Sequence, residues 1–93
     1  MKTLEKLFYL RSSLYKYEKQ LGLQGLSDIE KSVLEFIIHK HQATITAITK
    51  DTYFRDYSLS TIKRAVGVLL EGNFIYSTQS SDDKRVMLLK HSI

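Results

Sequence analysis

The stretch from Ser58 to Leu89 determines the predicted fold of this chain, and it reads SLSTIKRAVGVLLEGNFIYSTQSSDDKRVMLL. Its first half predicts a helix whose apolar stripe is formed by Ile62, Ala65, Val66, Leu69 and Leu70. The same spacing turns a set of polar, basic and small residues outward, namely Ser60, Thr61, Lys63, Arg64 and Gly67. The pair Gly72-Asn73 ends this helix, because either residue can adopt the left-handed backbone of a helix C-terminus.

A β-hairpin is predicted after this helix. Its strands run from Phe74 to Thr78 and from Val86 to Lys90, and residues 79–85 form a polar tip. A helix with a basic outer face followed by a hairpin with a basic tip can bind duplex DNA. The helix, about residues 58–72, would enter the major groove, and the wing, about residues 79–86, would reach the backbone or the minor groove.

Length and composition are typical of an ordinary globular chain. With 93 residues, 43% hydrophobic and 26% charged, the chain is expected to form one domain, residues 1–93. It has no apolar run near the ~20 residues of a membrane helix, and its N-terminus does not resemble a signal peptide. The absence of cysteine excludes disulfides and thiolate metal sites and makes a cytoplasmic location the simplest expectation.

The net charge of +4 is distributed unevenly along the chain. Residues 1–25 carry five basic and two acidic side chains, whereas residues 26–93 carry nine basic and eight acidic ones. A basic balance favours nucleic-acid partners, but this one is mild. The local signal is stronger, because the segment from Leu59 to Leu70 holds Lys63 and Arg64 and no acidic residue.

The N-terminal segment predicts a long helix from about residue 3 to residue 21. Its apolar residues recur every three or four positions, the pattern of a helix that packs on another helix: Leu7, Leu10, Leu14, Tyr17 and Leu21. Two interpretations remain open, which are packing on the core of its own domain and pairing with a second copy in a dimer. Gly22 and Gly25 then end the helix.

Two shorter helices are predicted next. Ser27 and Glu30 form a capping box that opens one of them, and its core face comprises Ile29, Val33, Phe36 and Ile37, with Leu34 and Ile38 beside it. Thr44 or Thr46 caps a third helix that ends near Tyr53, with Ala47 and Ile48 facing inward. Asp56 or Ser58 caps the helix after it. Helix, turn and helix followed by a hairpin describe a winged helix-turn-helix, a mainly α-helical α+β fold with an extra long N-terminal helix.

From Leu26 onward these motifs resemble the multiple-antibiotic-resistance regulator (MarR) family, including its staphylococcal SarA-like branch. The matching motifs are Leu26-Ser27-x-x-Glu30, Thr46-x-Ile48, Ser60-Thr61-Ile62-Lys63-Arg64, Leu69-x-x-Gly72 and Asp83-Lys84-Arg85. The last of these, the Asp-x-Arg wing, is the most specific to the family. The resemblance covers roughly residues 26–91, and the long first helix occupies the place of the family's first dimerisation helix.

The resemblance implies a homodimeric transcription regulator that binds a near-palindromic operator. It assigns roles in DNA binding to residues of the recognition helix and the wing, namely Ser60, Thr61, Lys63, Arg64, Asp83 and Arg85. The predicted DNA-binding set also includes Ser58 and Lys84 beside them. Arg85 would enter the minor groove, which attracts a guanidinium, and Asp83 would hold it in place. The family usually has long helices after the wing, whereas this sequence ends at Ile93. We therefore expect dimerisation through residues 1–21, and we carry no effector site over.

Other functions find less support in the sequence. The serines and threonines have no evident catalytic base and acid, and the glycines form no phosphate-binding loop, so no catalytic residue, cofactor or enzyme activity is predicted. His39 and His41 are poorly spaced as a metal pair, and no metal site is predicted. The alternative to a DNA-binding regulator is a winged helix that binds another protein through the stripe from Leu7 to Leu21, without binding DNA.

Overall fold

The computed structural model of the chain describes residues 1–92 and has a mainly helical winged helix-turn-helix architecture, as the sequence predicts. Its four α-helices are α1 (Lys2–Gln20), α2 (Asp28–Lys40), α3 (Ile45–Lys50) and α4 (Leu59–Glu71). A short 3-10 helix, Thr52–Phe54, lies between α3 and α4. The strands are β1 (Gln42–Ala43), β2 (Ile75–Gln79) and β3 (Met87–His91).

The three helices that follow α1 begin at side-chain caps, where the sequence predicts them. At α2, Ser27 Oγ accepts from Glu30 N at 3.4 Å while Glu30 Oε1 accepts from Ser27 N at 2.9 Å, which is the predicted capping box. Thr44 caps α3 by accepting from Ala47 N at 3.0 Å. Ser58 caps α4, so of the two predicted caps for this helix it is Ser58 that acts.

The core is built around the apolar stripe of α4. Ile62 and Leu69 have no exposed surface, and Ala65 and Val66 are almost fully buried beside them. Partners come from every other element after α1, namely Val33, Leu34, Ile37, Ala43, Ile48, Phe54, Ile75 and Leu89. Burial of one stripe fixes the rotation of α4 about its axis, and this rotation decides which side chains of the helix face solvent.

The sheet has the order β1-β3-β2, and both pairings are antiparallel. In the hairpin, Ile75 pairs with His91 and Gln79 pairs with Met87, so each strand lies one residue later than predicted. The strand β1 was not predicted, and its two residues pair with Leu89 and Lys90. A two-residue strand is too short to produce a detectable alternation of apolar and polar residues.

The predicted third helix is too long and is wrong at one inward position. It ends at Lys50 rather than near Tyr53, because Asp51 leaves the helix and its Oδ1 accepts from Tyr53 N at 3.0 Å to begin the 3-10 turn. Ile48 is fully buried as expected, but Ala47 is exposed. The 3-10 turn buries Phe54, whose ring meets that of Phe36 edge-on with centroids 5.7 Å apart.

The helix α1 does not pack on the core of its own chain. None of its residues is buried, and its large apolar side chains are between 45 and 73% exposed. Packing on its own domain, one of the two interpretations of this helix, is therefore wrong. The helix ends as expected at Gly22, which takes a φ of +74°, and Leu23 N donates to Glu18 O at 2.9 Å across this turn.

Gly67 within α4 and Gly72 immediately after it have different surroundings. A Cβ added at Gly67 would meet nothing within 4 Å among the described residues, so this position has room for a side chain. A Cβ at Gly72 would lie 2.7 Å from a ring atom of Phe74. Next to Gly72, Asn73 takes the left-handed conformation with a φ of 61° and ends the helix.

These surroundings predict opposite effects of alanine at the two positions. Gly67→Ala should raise the free energy of unfolding by about 0.5–1 kcal/mol, because alanine is the better helix former and the site has room. Gly72→Ala should lower it, because the ring of Phe74 must move away from the core. Urea unfolding followed by circular dichroism measures both, and an unchanged or lower midpoint for Gly67→Ala would contradict the first expectation.

Candidate nucleic-acid interface

The first turn of α4 brings three of the predicted contact residues together. Ser58 Oγ accepts from Thr61 N at 3.1 Å, and the hydroxyls of Ser58 and Thr61 are 2.8 Å apart. The hydroxyl of Ser60 lies 3.1 Å from that of Ser58. Ser58 and Ser60 are exposed, whereas Thr61 is only partly exposed. Ser58 therefore has a structural role as the helix cap, and Ser60 is an exposed residue beside it.

The outward face of α4 carries Ser60, Lys63 and Arg64, all exposed. They lie opposite the stripe that contains Ile62 and Leu69, as the helical spacing predicts. Within residues 1–92, neither Lys63 nor Arg64 forms an ion pair, so both cationic groups are available to a ligand. Glu71, the acidic residue of α4, lies in the last turn of the helix, so the positive charge is concentrated in the N-terminal half.

Leu59, the first residue of α4, belongs to this exposed surface but was not among the predicted contact residues. Its side chain is 51% exposed, and it lies one helical turn before Lys63. An apolar group at the start of such a helix is suited to contact the methyl group of thymine. Its signal in the sequence was weak, because a leucine beside an apolar stripe is ordinarily assigned to the core.

The tip of the wing is a tight loop between β2 and β3 that is closed by its own backbone. Ser80 N donates to Val86 O, and Val86 N donates to Asp83 O, each at 2.9 Å. Ser80 Oγ accepts from Asp82 N at 3.2 Å, and the side-chain amide of Gln79 donates to Lys84 O at 3.4 Å. These contacts give the exposed side chains of Lys84 and Arg85 a fixed backbone from which to project.

Within this loop Asp83 binds Arg85 through three hydrogen bonds. Asp83 Oδ1 accepts from the backbone N of Arg85 at 3.0 Å and from its Nε at 3.2 Å, while Asp83 Oδ2 accepts from Nη2 at 3.3 Å. The predicted pairing of the two side chains is present. Arg85 is nonetheless 91% exposed against 41% for Asp83, so the carboxylate orients the guanidinium without covering it.

The contact with Arg85 lowers the pKa of Asp83 from the ordinary value of an aspartate. The side-chain hydrogen bonds are the largest cause, and the backbone hydrogen bond adds to them. The carboxylate is thus ionised across the neutral range, where it stays paired with the arginine. By contrast Asp82 is exposed, and its charge opposes an anionic ligand at the same tip.

Other kinds of site find little in the described residues. Across residues 1–92 there is no group of three or more histidine, cysteine, aspartate or glutamate side chains arranged to hold a metal ion. None of the helices described here is long and apolar enough to cross a membrane. The histidines at the end of α2, His39 and His41, are both exposed.

Comparison with known proteins identifies the fold. No protein-family model matches the chain, and no curated protein sequence matches it significantly. Among solved structures it is similar to the reduced form of MarR from E. coli, with a TM-score of 0.67 and 19% identity over 96% of this chain. It is also similar to the transcriptional regulator BldR from Sulfolobus solfataricus, with a TM-score of 0.64 and 24% identity over 99% of this chain.

A third similar structure is the C80S mutant of E. coli MarR in complex with operator DNA, with a TM-score of 0.65 and 18% identity over 96% of this chain. The chain spans 63 to 65% of the length of these three proteins. At such identities the similarity establishes the fold. The chain thus has the winged helix-turn-helix fold of MarR-family DNA-binding regulators, which confirms the resemblance found in its sequence.

The geometry of the wing predicts a measurable titration. In the intact protein Asp83 should titrate below an ordinary aspartate, and Arg85→Ala should raise its pKa toward that ordinary value because the two side-chain hydrogen bonds are lost while the backbone one remains. Since the pKa is lowered in the folded state, the stabilisation from this contact is present above the ordinary pKa and is lost as the pH falls through the folded-state value.

Carboxyl-carbon NMR chemical shifts measured against pH test this expectation. The matched control is Lys84→Ala, which removes the same charge from the loop but leaves all three Asp83–Arg85 hydrogen bonds in place. The pKa of Asp83 should remain low in this control. Equal changes in the two variants would mean that general charge, rather than the paired geometry, lowers the pKa.

Proposed function

We propose that this chain is a sequence-specific regulator of transcription that binds double-stranded DNA as a homodimer. In this proposal the N-terminal half of α4 enters the major groove, and the wing between β2 and β3 contacts the backbone and the minor groove. The observation that carries it is the exposure of Lys63 and Arg64 on the face of α4 that lies away from the core. Among the described residues, neither side chain forms an ion pair.

Each side chain has a chemical role in the proposed complex. Arg64 can donate in a planar fork to a guanine edge or to a phosphate, and Lys63 supplies a compact charge suited to a phosphate. Ser60 and Thr61 offer hydroxyls for phosphate or base contacts, and Ser58 keeps the helix N-terminus in register.

The wing contributes through its arginine. Arg85, aimed by Asp83, suits the strongly negative potential of a narrow minor groove. Lys84 is exposed at the same tip and adds a second positive charge for the backbone. In this arrangement Asp83 acts by orienting Arg85 and does not contact the DNA directly.

The solved structures support this proposal by fold and by one complex. E. coli MarR has been crystallised with operator DNA, and its fold matches that of the present chain from α1 to the wing. BldR is named a transcriptional regulator. The role of the equivalent surface in this chain is inferred from its charge and exposure, because identity below 25% carries the fold alone.

The proposed dimer rests on α1. Its stripe is exposed along the whole helix and has the three- and four-residue spacing of a helix that packs against another: Leu7, Leu10, Leu14, Tyr17 and Leu21. Removing such a stripe from water is the strongest available driving force for association. A cytoplasmic location, where a regulator would meet DNA, remains a prediction.

The DNA proposal predicts binding that depends on both salt and named side chains. Fluorescence anisotropy of a labelled random duplex of ~30 base pairs should show binding. The logarithm of the association constant should fall linearly with the logarithm of the salt concentration. Lys63→Ala and Arg85→Ala should each weaken binding on the order of tenfold, and loss of a phosphate contact should lower the salt slope by about 1.

Lys2→Ala is the matched control, because it removes one exposed lysine from the far end of α1. It should bind DNA with nearly the affinity of the unmodified chain. Circular dichroism melting verifies that the variants are folded. Unchanged affinity in both Lys63→Ala and Arg85→Ala would refute the proposed interface.

The proposed dimer predicts a difference between two faces of α1. Leu7→Glu places a charge within the stripe and should convert the dimer to a monomer, because burying an unpaired charge is costly. Tyr9→Glu is the control, since Tyr9 lies about 200° further around the helix and outside the stripe. Sedimentation velocity distinguishes the two species, and a monomeric unmodified protein would contradict the proposal.

The exposed stripe also supports a second function, in which the winged helix binds another protein through α1 and does not bind DNA. The nearly balanced charge of residues 26–93, nine basic against eight acidic side chains, favours this alternative. It predicts no anisotropy change even at low salt. The salt series therefore separates the two functions before any operator sequence is known.

A further inference from the structure

The helix α1 is joined to the rest of the molecule at one end. Within residues 1–92, two side-chain hydrogen bonds connect it to later residues, both from its last two turns. Tyr15 accepts from the side-chain amide of Gln24 at 3.1 Å, and Glu18 accepts from Lys31 of α2 at 2.7 Å. Because no α1 residue is buried, these polar contacts bear directly on the direction of the helix.

The contact between Glu18 and Lys31 is the more protected of the two. The side chains are only 12 and 18% exposed, so solvent screens their attraction less than it screens an ordinary surface pair. They lie in a cleft of about 620 Å³ between α1 and α2, whose wall also includes Leu14, Tyr15 and Ser32. Shielding and a short distance make this pair a defined structural contact.

Acidic residues from both helices surround Lys31. Asp28 and Glu35 lie three residues before and four residues after it on α2, so either could pair with it along the helix surface. Lys31 instead reaches across to α1, and its pKa is raised, chiefly by the hydrogen bond with Glu18. The pKa of Glu35 is raised by burial and next by the charge of Glu18.

The buried apolar residues that follow α1 fix the position of the helix end but not the direction in which the helix runs. Leu23 and Leu26, which follow α1, are buried in the core and hold the chain where the helix ends. Gly22 lies between them and the helix with a positive φ and open space around it. A helix held at such a point needs a second contact, away from the point, to define its orientation.

We propose that the Glu18–Lys31 ion pair is this second contact, a positioning pair that sets the direction in which α1 leaves the winged helix. Without Lys31, Glu18 loses its partner on α2, and its charge opposes that of Glu35 in a cleft where Arg11 is the remaining basic residue. The attraction that holds the two helices together at this point is then lost. Loss of Lys31 therefore disturbs the orientation more than loss of Glu18, whose removal leaves Lys31 with partners on its own helix.

The consequence for DNA recognition rests on the proposed function, in which α1 forms the dimer. From Glu18 back to Lys2 the helix is about 24 Å long, so a rotation of about 10° moves its far end by about 4 Å. In a dimer joined through α1, the same rotation changes the separation of the two copies of α4. Correct spacing of half-sites about 34 Å apart would then depend on this pair.

Distance measurement by double electron–electron resonance tests the positioning role without DNA. The chain has no cysteine, so Glu5→Cys on α1 and Asp56→Cys before α4 give two unique spin-label sites, both at exposed positions. Mixing labelled protein with an excess of unlabelled protein restricts the signal to distances within one chain. A label pair at Asp56 and Glu71, which both lie outside α1, is the internal control.

Lys31→Met should at least double the width of the Glu5–Asp56 distance distribution or shift its centre by several ångströms, and leave the Asp56–Glu71 distribution unchanged. Lys31→Arg, which keeps the charge and can still reach Glu18, should restore the narrow distribution. An unchanged Glu5–Asp56 distribution in Lys31→Met overturns the proposal. So does equal broadening of both label pairs, which would indicate general loss of structure.

Glu18→Gln keeps the shape of the side chain and serves as a second variant should Lys31→Met fail to fold. It should broaden the Glu5–Asp56 distribution less than twofold, and no broadening in this variant overturns the positioning role. The readout stands apart from the proposed function. A protein that binds no DNA still shows or lacks this change in distance.

Discussion

Burial of the α4 stripe is the constraint on which the rest of the structure depends. Ile62 and Leu69 are fully enclosed by side chains from α2, α3, the 3-10 turn and the sheet. Rotating α4 to expose another face would remove both from the core, at a cost of a few kcal/mol for each buried side chain. The outward position of Lys63 and Arg64 is thus enforced by packing and does not depend on contacts of their own.

The parts of this arrangement that could be predicted are those with a local cause. Capping by Ser27 and Glu30 operates within one helical turn, and the spacing of the α4 stripe reports its own burial, so both were found in the sequence. The pairing of Asp83 with Arg85 is equally local, since only Lys84 lies between them. Each of these interactions is complete within a few residues, and the rest of the fold only has to permit it.

The errors share a non-local cause. The strand β1 exists only because β3, more than forty residues later, lies beside it. Whether the stripe of α1 packs within one chain depends on the angle that the turn at Gly22 sets between α1 and the rest of the chain, which the stripe itself does not encode. Leu59 resembles a core residue by type, and only the cap at Ser58 places it at the exposed start of α4. The exposure of Lys63 and Arg64 followed from the predicted stripe, and their contacts with DNA stay a prediction.

The order of strands has a mechanical consequence for the wing. The strand β1 pairs with Leu89 and Lys90, so three strands are joined at the base, while the pairs nearer the tip, Thr78–Leu88 and Gln79–Met87, join only two. Such a sheet is held firmly at its three-stranded end and bends more easily toward the tip of the hairpin. The displacement of the hairpin grows with distance from the three-stranded base, and Arg85 lies near the tip. The tip can therefore move as one unit to follow a surface of variable width, while the hydrogen bonds that Arg85 donates to Asp83 keep the guanidinium oriented within the loop.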